Sequence, residues 1–160
     1  MRARLLAVAV LGLALLCASL GRAADPHGQE GAVLEAVLRH QISLFLDDEA
    51  RARRTVICLG IDPGEAPQGA SREFLARFKE PLVRSLGECE RRGSGAVEGV
   101  TRAAAVLVTA GPIDWVADDE AWVRVTHFRS KRDSAMRTYR VVRDPSGWVS
   151  LGPIYRDGPV

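Results

Sequence analysis

The sequence predicts an α+β domain in which N-terminal helices pack on a curved antiparallel sheet. Two patterns lead there. Apolar residues recur at steps of three and four over residues 30–46, and from residue 103 onward short apolar runs alternate with turn signals. Helices first and consecutive hairpins afterwards is the order of an α+β fold.

The first element is a helix over residues 30–46, with Leu34, Leu38, Ile42 and Phe45 forming its stripe and Val33, Val37 and Leu44 widening it. Asp47, Asp48 and Glu49 oppose the dipole at a helix C-terminus, which sets its expected end near residue 50. Residues 55–61 are short, apolar and rich in β-branched side chains, the mark of a strand buried on both faces. Asp62-Pro63-Gly64 and Pro67-Gln68-Gly69 mark a loop. Ser71 then caps a short helix carrying Phe74, Leu75 and Phe78, with Glu73 in its first turn and Pro81 as its stop. Residues 82–86 read as a short strand leading to Cys89, and residues 90–99, around Gly93-Ser94-Gly95, as a flexible loop.

The remainder reads as a meander. Strands are expected over 103–108, resuming at 113–116 after a bend at Gly111-Pro112, where proline cannot donate to a ladder. Further strands are expected over 121–128, 136–143 and 148–155, separated by turns at Asp118-Asp119-Glu120 and Asp144-Pro145-Ser146-Gly147.

The N-terminus has a different character. Arg2 and Arg4 precede an uncharged stretch, residues 5–20, built almost wholly of Leu, Ala and Val, and Gly21-Arg22-Ala23 follows with small residues at the two positions a signal peptidase reads. This is the pattern of a secretory leader, with cleavage expected after Ala23. An uncleaved anchor would need roughly 20 apolar residues, and this run is shorter and interrupted by Gly12 and Ser19. A lipoprotein signal would place a small residue before Cys17, where Leu16 stands. The expected organisation is a leader over 1–23 and a single exported domain, periplasmic or extracellular, over 24–160, with no second apolar stretch of spanning length.

Removing the leader changes the charge and cysteine accounts. Of the 22 basic residues, Arg2, Arg4 and Arg22 leave with it, while all 20 acids remain, so 19 bases face 20 acids and the nominal net charge of +2 becomes −1. That total gives no reason to expect a nucleic-acid partner. The chain contains no Asn and hence no glycosylation sequon. Cys17 is lost as well, leaving Cys58 and Cys89, an even pair in an exported chain and therefore an expected disulfide. A reactive thiol would want a second cysteine two residues away or a basic, helix-start setting.

Catalytic candidates are few. Of His27, His40 and His127, none forms a metal-binding spacing with another, so no metal and no cofactor are expected. There is no phosphate-cradling glycine loop and no Gly-x-Ser-x-Gly nucleophile motif. Asp114 and His127 on adjacent strands, or His127 with Tyr139, are the candidate general-base set for a pocket between helix and sheet. The competing reading makes Asp114 a solvated edge residue and His127 a satisfied strand residue.

One charge pattern stands out. Residues 121–143 hold Arg124, Arg129, Lys131, Arg132, Arg137, Arg140 and Arg143 against Asp133 alone. Alternation spreads these over both faces of a hairpin, leaving the turn with Arg129, Lys131 and Arg132 as the candidate anion-binding patch, for an anionic envelope surface or an acidic protein. The plainer reading is a soluble hairpin whose charges block edge-to-edge aggregation.

The last 60 or so residues, with Val141-Val142, the Asp-Pro-Ser-Gly turn and Trp148-Val149, resemble the final strands of NTF2-like (SnoaL-like) cone domains. The whole chain is similar to small exported bacterial proteins of comparable length. Cystatin-like folds share the same strand–turn–Trp pattern. The resemblance implies a helix seated on a curved sheet, and a family spread over enzymes, ligand binders and interaction modules, so it assigns no activity and no catalytic residue. The function expected is a non-catalytic exported binding or interaction module. The alternatives are a small-molecule pocket protein, with or without isomerase- or lyase-like catalysis, and a purely structural envelope factor.

Overall fold

The computed structural model describes residues 28–154. The leader over 1–23, His27 and the expected end of the last strand at Tyr155 lie outside them.

Helix α1 spans Gly28–Phe45 and buries Val33, Leu34, Val37, Leu38, Gln41 and Ile42. The expected continuation to residue 50 is interrupted. Asp47 leaves the helical region and its carboxylate accepts from the Ala50 amide at 2.7 Å, opening a separate short helix α2, Asp48–Ala52. The acids that oppose the dipole at the end of α1 favour it at the start of α2.

The fold is α+β, but the sheet is mixed rather than purely antiparallel. Strand β1 (Val56–Ile61) is buried at every position. It pairs in parallel with β3 (Val83–Ser85) on one edge and with β6 (Ala105–Ala117) on the other, and antiparallel with the two-residue β2 (Gln68–Gly69). Burial on both faces is what parallel strands require, and a continuous apolar run such as Val56-Ile57-Cys58-Leu59 satisfies it without indicating which strands lie alongside. Between β2 and β3, Ser71 caps α3 (Arg72–Leu75) by accepting from the Phe74 amide at 3.1 Å, and a 3-10 turn over Leu86–Glu88 follows β3.

The expected flexible loop at 90–99 is instead a hairpin. Strand β4 (Cys89–Arg92) and β5 (Gly95–Glu98) pair across a two-residue turn whose first residue, Gly93, has φ +60°. Hairpin turns of this length call for a positive φ there, which glycine supplies without strain.

The meander expected in the second half is present as β6, β7 (Glu120–Ser130), β8 (Asp133–Asp144) and β9 (Gly147–Pro153), each antiparallel to the next. The bend at Gly111-Pro112 is a bulge within one continuous strand. Ala110 faces Val125 and Ile113 faces Val123, so β6 carries one more residue than β7 across that interval. Gly111 adopts φ +112° and lies against Asp62, where a Cβ would come 2.3 Å from the carbonyl oxygen.

The sheet curls strongly, like half of a barrel. Its inner face and α1 enclose the main core, in which Val33, Val37, Leu38, Ile57, Leu59, Val106, Val108, Val123 and Val141 are fully buried. Each such side chain contributes about 1.5–3 kcal/mol by leaving water. On the outer face a smaller core gathers Val56, Cys58, Ala96 and Ala105, with Leu86, Cys89, Leu107 and Phe128 packed against it. The β4–β5 hairpin thus folds over the back of β1 and β6.

Candidate functional site

The sequence singled out three groups of residues: a catalytic set, a cysteine pair and a cationic turn. The structure disposes of them differently.

The catalytic candidates are not brought together. Asp114 is exposed and pairs with Trp122, whereas His127 pairs with Val108 and Ala135. Trp122 and His127 have opposite parity on β7, so Asp114 and His127 belong to opposite faces. Five residues of strand, about 16 Å at ordinary rise, also separate their levels. The extra residue in the Gly111-Pro112 bulge shifts the alternation along β6, so that Ile113 takes the inner face and Asp114 the outer one. Tyr139 shares the inner face with His127, but it pairs with Val123, is 4% exposed and meets the His40 ring edge-on at 5.7 Å.

His127 has other neighbours. Its Nε2 lies 3.2 Å from Asp133 Oδ1, and its ring stacks at a tilt against Phe45 at 5.0 Å. Asp133 also lies 3.8 Å from Arg129. Turn length alone does not give this contact: Ser130 pairs with Asp133, and the irregularity at Arg129 between Phe128 and Ser130 shifts the register so that His127 pairs with Ala135.

Cys58 and Cys89 form a disulfide with Cα atoms 6.3 Å apart. Cys58 is fully buried on β1 and Cys89 opens β4, so the bond fastens the β4–β5 hairpin to the central strand. Among the described residues no three His, Cys, Asp or Glu side chains converge as metal ligands do.

The cationic turn is larger than the sequence indicated. The Lys131 amide donates to the Ser94 carbonyl at 2.9 Å and Gly95 pairs with Ser130, so the tips of the β4–β5 and β7–β8 hairpins are joined. This adds Arg91 and Arg92 of β4 to Arg129, Lys131 and Arg132, all exposed. The Arg91 guanidinium lies over the Phe128 ring at 4.2 Å, which holds it on the β7 side. Ser94, Ser130, Lys131 and Arg132 line an open depression of about 440 Å³. A neighbouring one of about 350 Å³ runs from Arg129 to Arg53, Asp47 and Glu49 beside α2. Within the turn the Ser130 hydroxyl accepts from the amides of Arg132 at 3.3 Å and Asp133 at 3.1 Å. Its oxygen is engaged twice, so its proton is left to donate outward. Arg91 and Arg92 escaped the sequence reading because they lie some 40 positions before the turn they join.

Elsewhere three carboxylates sit below their usual range for evident reasons. Glu120 is held down by the Arg140 guanidinium and then by the Trp122 indole N–H. Glu98, 5% exposed, is held down by the Thr101 hydroxyl and amide and by the Val100 amide. Asp144 is lowered by the hydroxyl and amide of Ser146 in the Asp-Pro-Ser-Gly turn. All three brace turns or ladders.

No family model, no curated protein and no solved structure matches this chain.

Proposed function

We propose that the chain is exported and acts as a non-catalytic binding module. The observation that carries this reading is the apolar packing between helix and sheet among the described residues. Val33, Val37 and Leu38 of α1 belong to one buried cluster with Val123, Val141 and Tyr139, at the place where a cone-type enzyme would open its pocket. The only acid–histidine pair proposed from the sequence, Asp114 with His127, is divided between two faces. Large apolar side chains remain outside that core, including Trp115, Val116, Met136 and Leu151. Export is supported by the leader pattern of residues 1–23 together with a disulfide, which persists in oxidising compartments. The architecture, one long helix on a curled sheet ending in the β6–β9 meander, supports an NTF2-like or cystatin-like relationship in outline, while the parallel β1–β6 pairing departs from a pure meander.

Native mass spectrometry of the protein purified from its own host tests the reading. The expected species begins at Ala24, carries one disulfide and holds no small molecule in stoichiometric amount. A retained organic ligand would replace the binding-module reading with that of a pocket protein, and a chain still carrying residues 1–23 would end the argument for cleavage and export.

A further inference from the structure

We propose that the joined tips of the β4–β5 and β7–β8 hairpins dock on an anionic phospholipid surface, with Lys131 and Arg132 at the centre and Arg91 and Arg92 at the flank. This deepens the binding-module reading by giving the partner's chemistry, and it rests on that reading.

The charge balance of residues 24–160, 19 bases against 20 acids, argues against a general attraction to anions, so the local arrangement has to supply it. It does so by bringing two basic segments, distant in sequence, to one end of the sheet. Arg92 pairs with Gly95, Gly95 with Ser130, and Ser130 with Asp133, so the four strands meet in one row. Among the described residues none of Arg91, Arg92, Lys131 and Arg132 has a carboxylate within salt-bridge distance, whereas the nearby acids are engaged: Asp133 by His127 and Arg129, Glu90 by Arg102. Arg92, Lys131 and Arg132, grouped at an exposed tip, are hydrated and available, while the Arg91 guanidinium rests on the Phe128 ring and adds its charge from the flank. The Ser130 hydroxyl proton supplies a neutral donor suited to a phosphoryl oxygen.

The geometry favours a surface over a single small anion. Lys131 and Arg132 line an open depression with Ser94 and Ser130, Arg92 stands beside it at the end of β4, and the cations do not converge on an enclosed point. One phosphate would meet one or two of them, while an array of headgroups meets Lys131, Arg132 and Arg92 together. Basic side chains near an anionic leaflet add roughly equal increments, worth about fivefold in partitioning for each cation. Screening removes the attraction within about 8–10 Å at ordinary salt, so only cations held at the tip contribute.

The test is co-sedimentation of the protein, purified in the form its host accumulates, with vesicles of phosphatidylcholine alone or with about a third phosphatidylglycerol, a composition chosen to give an anionic leaflet potential. Binding is expected only to the anionic vesicles and should weaken steeply with sodium chloride. Lys131→Gln with Arg132→Gln should reduce it more than about tenfold, Arg91→Gln with Arg92→Gln in the same direction, and Arg72→Gln on α3 not at all. An unchanged unfolding midpoint for each variant separates loss of charge from loss of fold. Absence of binding to anionic vesicles overturns the proposal and leaves an acidic protein as the partner of this tip. Binding insensitive to both double variants overturns it equally. Displacement by inorganic phosphate beyond that of chloride at equal ionic strength replaces the surface with a single-phosphate site. None of these outcomes alters the native mass result, so the two readings fail separately.

Discussion

Arg140 grips Glu120 across the β7–β8 ladder, donating to its two carboxylate oxygens at 3.0 and 2.7 Å, and the Trp122 indole adds a third donor at 3.0 Å. A carboxyl whose folded pKa is lowered contributes stability that is complete above its unfolded pKa and is lost as pH falls through the folded value. Glu120, Glu98 and Asp144 are all lowered. The urea midpoint should therefore hold from neutrality down to about pH 5 and fall progressively below it. Arg140→Gln should return Glu120 toward its ordinary range in a carboxyl NMR titration. A Glu120 titration identical in the two proteins would show that the grip does not persist in solution.

Removing the disulfide should cost more than any surface change. The bond joins residues 31 apart in sequence, and a loop of that size corresponds to about 3–4 kcal/mol in the chain-entropy treatment. Denaturant unfolding of Cys58→Ala/Cys89→Ala against the oxidised parent measures it. The β4–β5 hairpin should show the larger rise in amide exchange, because what still holds it includes only short contacts: the Gly95–Ser130 pairing, the Lys131–Ser94 hydrogen bond, the Val97–Ala104 bridge, the Arg91–Phe128 and Arg102–Glu90 contacts and a small apolar cluster.

Gly111→Ala tests the bulge. A methyl there meets the Asp62 carbonyl, and φ +112° is foreign to alanine, so a loss of about 2 kcal/mol or more is expected from calorimetry. An alanine variant as stable as the parent would mean that β6 and β1 relax apart at this point.

Gln41→Leu should act in the opposite direction. Gln41 is 1% exposed on the core face of α1 and its Nε2 has no hydrogen-bond partner. Exchanging an unpaired amide for an apolar group of similar size should raise stability by about 1 kcal/mol or more. A clear loss would show that the amide is satisfied by bound water.

The elements that announced themselves in the sequence did so through short-range chemistry. The Leu34–Leu38–Ile42 spacing, the Val56-Ile57-Cys58-Leu59 run, the Ser71 cap and the Asp144-Pro145-Ser146-Gly147 turn each depend on neighbours a few residues away. Strand β4 gave no such signal, because Cys89-Glu90-Arg91-Arg92 is charged and mostly exposed; only Gly93 at its turn hinted at a hairpin. Parallel pairing of β1 with β6 was also hidden, since periodicity reports which face is buried but not which strand lies alongside. The same limit governed the site. Asp114 and His127 were matched as residues of adjacent strands, which does not say on which face each lies, and the cationic tip was half seen because Arg91 and Arg92 reach it only through tertiary folding.

The parallel register of β1 has a kinetic side. Val56 must find Ala105 and Ile61 must find Ala110, so the strand at the centre of the main core has no complete partner until the second half of the chain is present. Pairings so remote in sequence are slow to form, and a segment rich in Val, Ile and Leu stays uncovered meanwhile. The delay also keeps the early segments from locking prematurely, and the domain closes only once residues 105–110 have joined them.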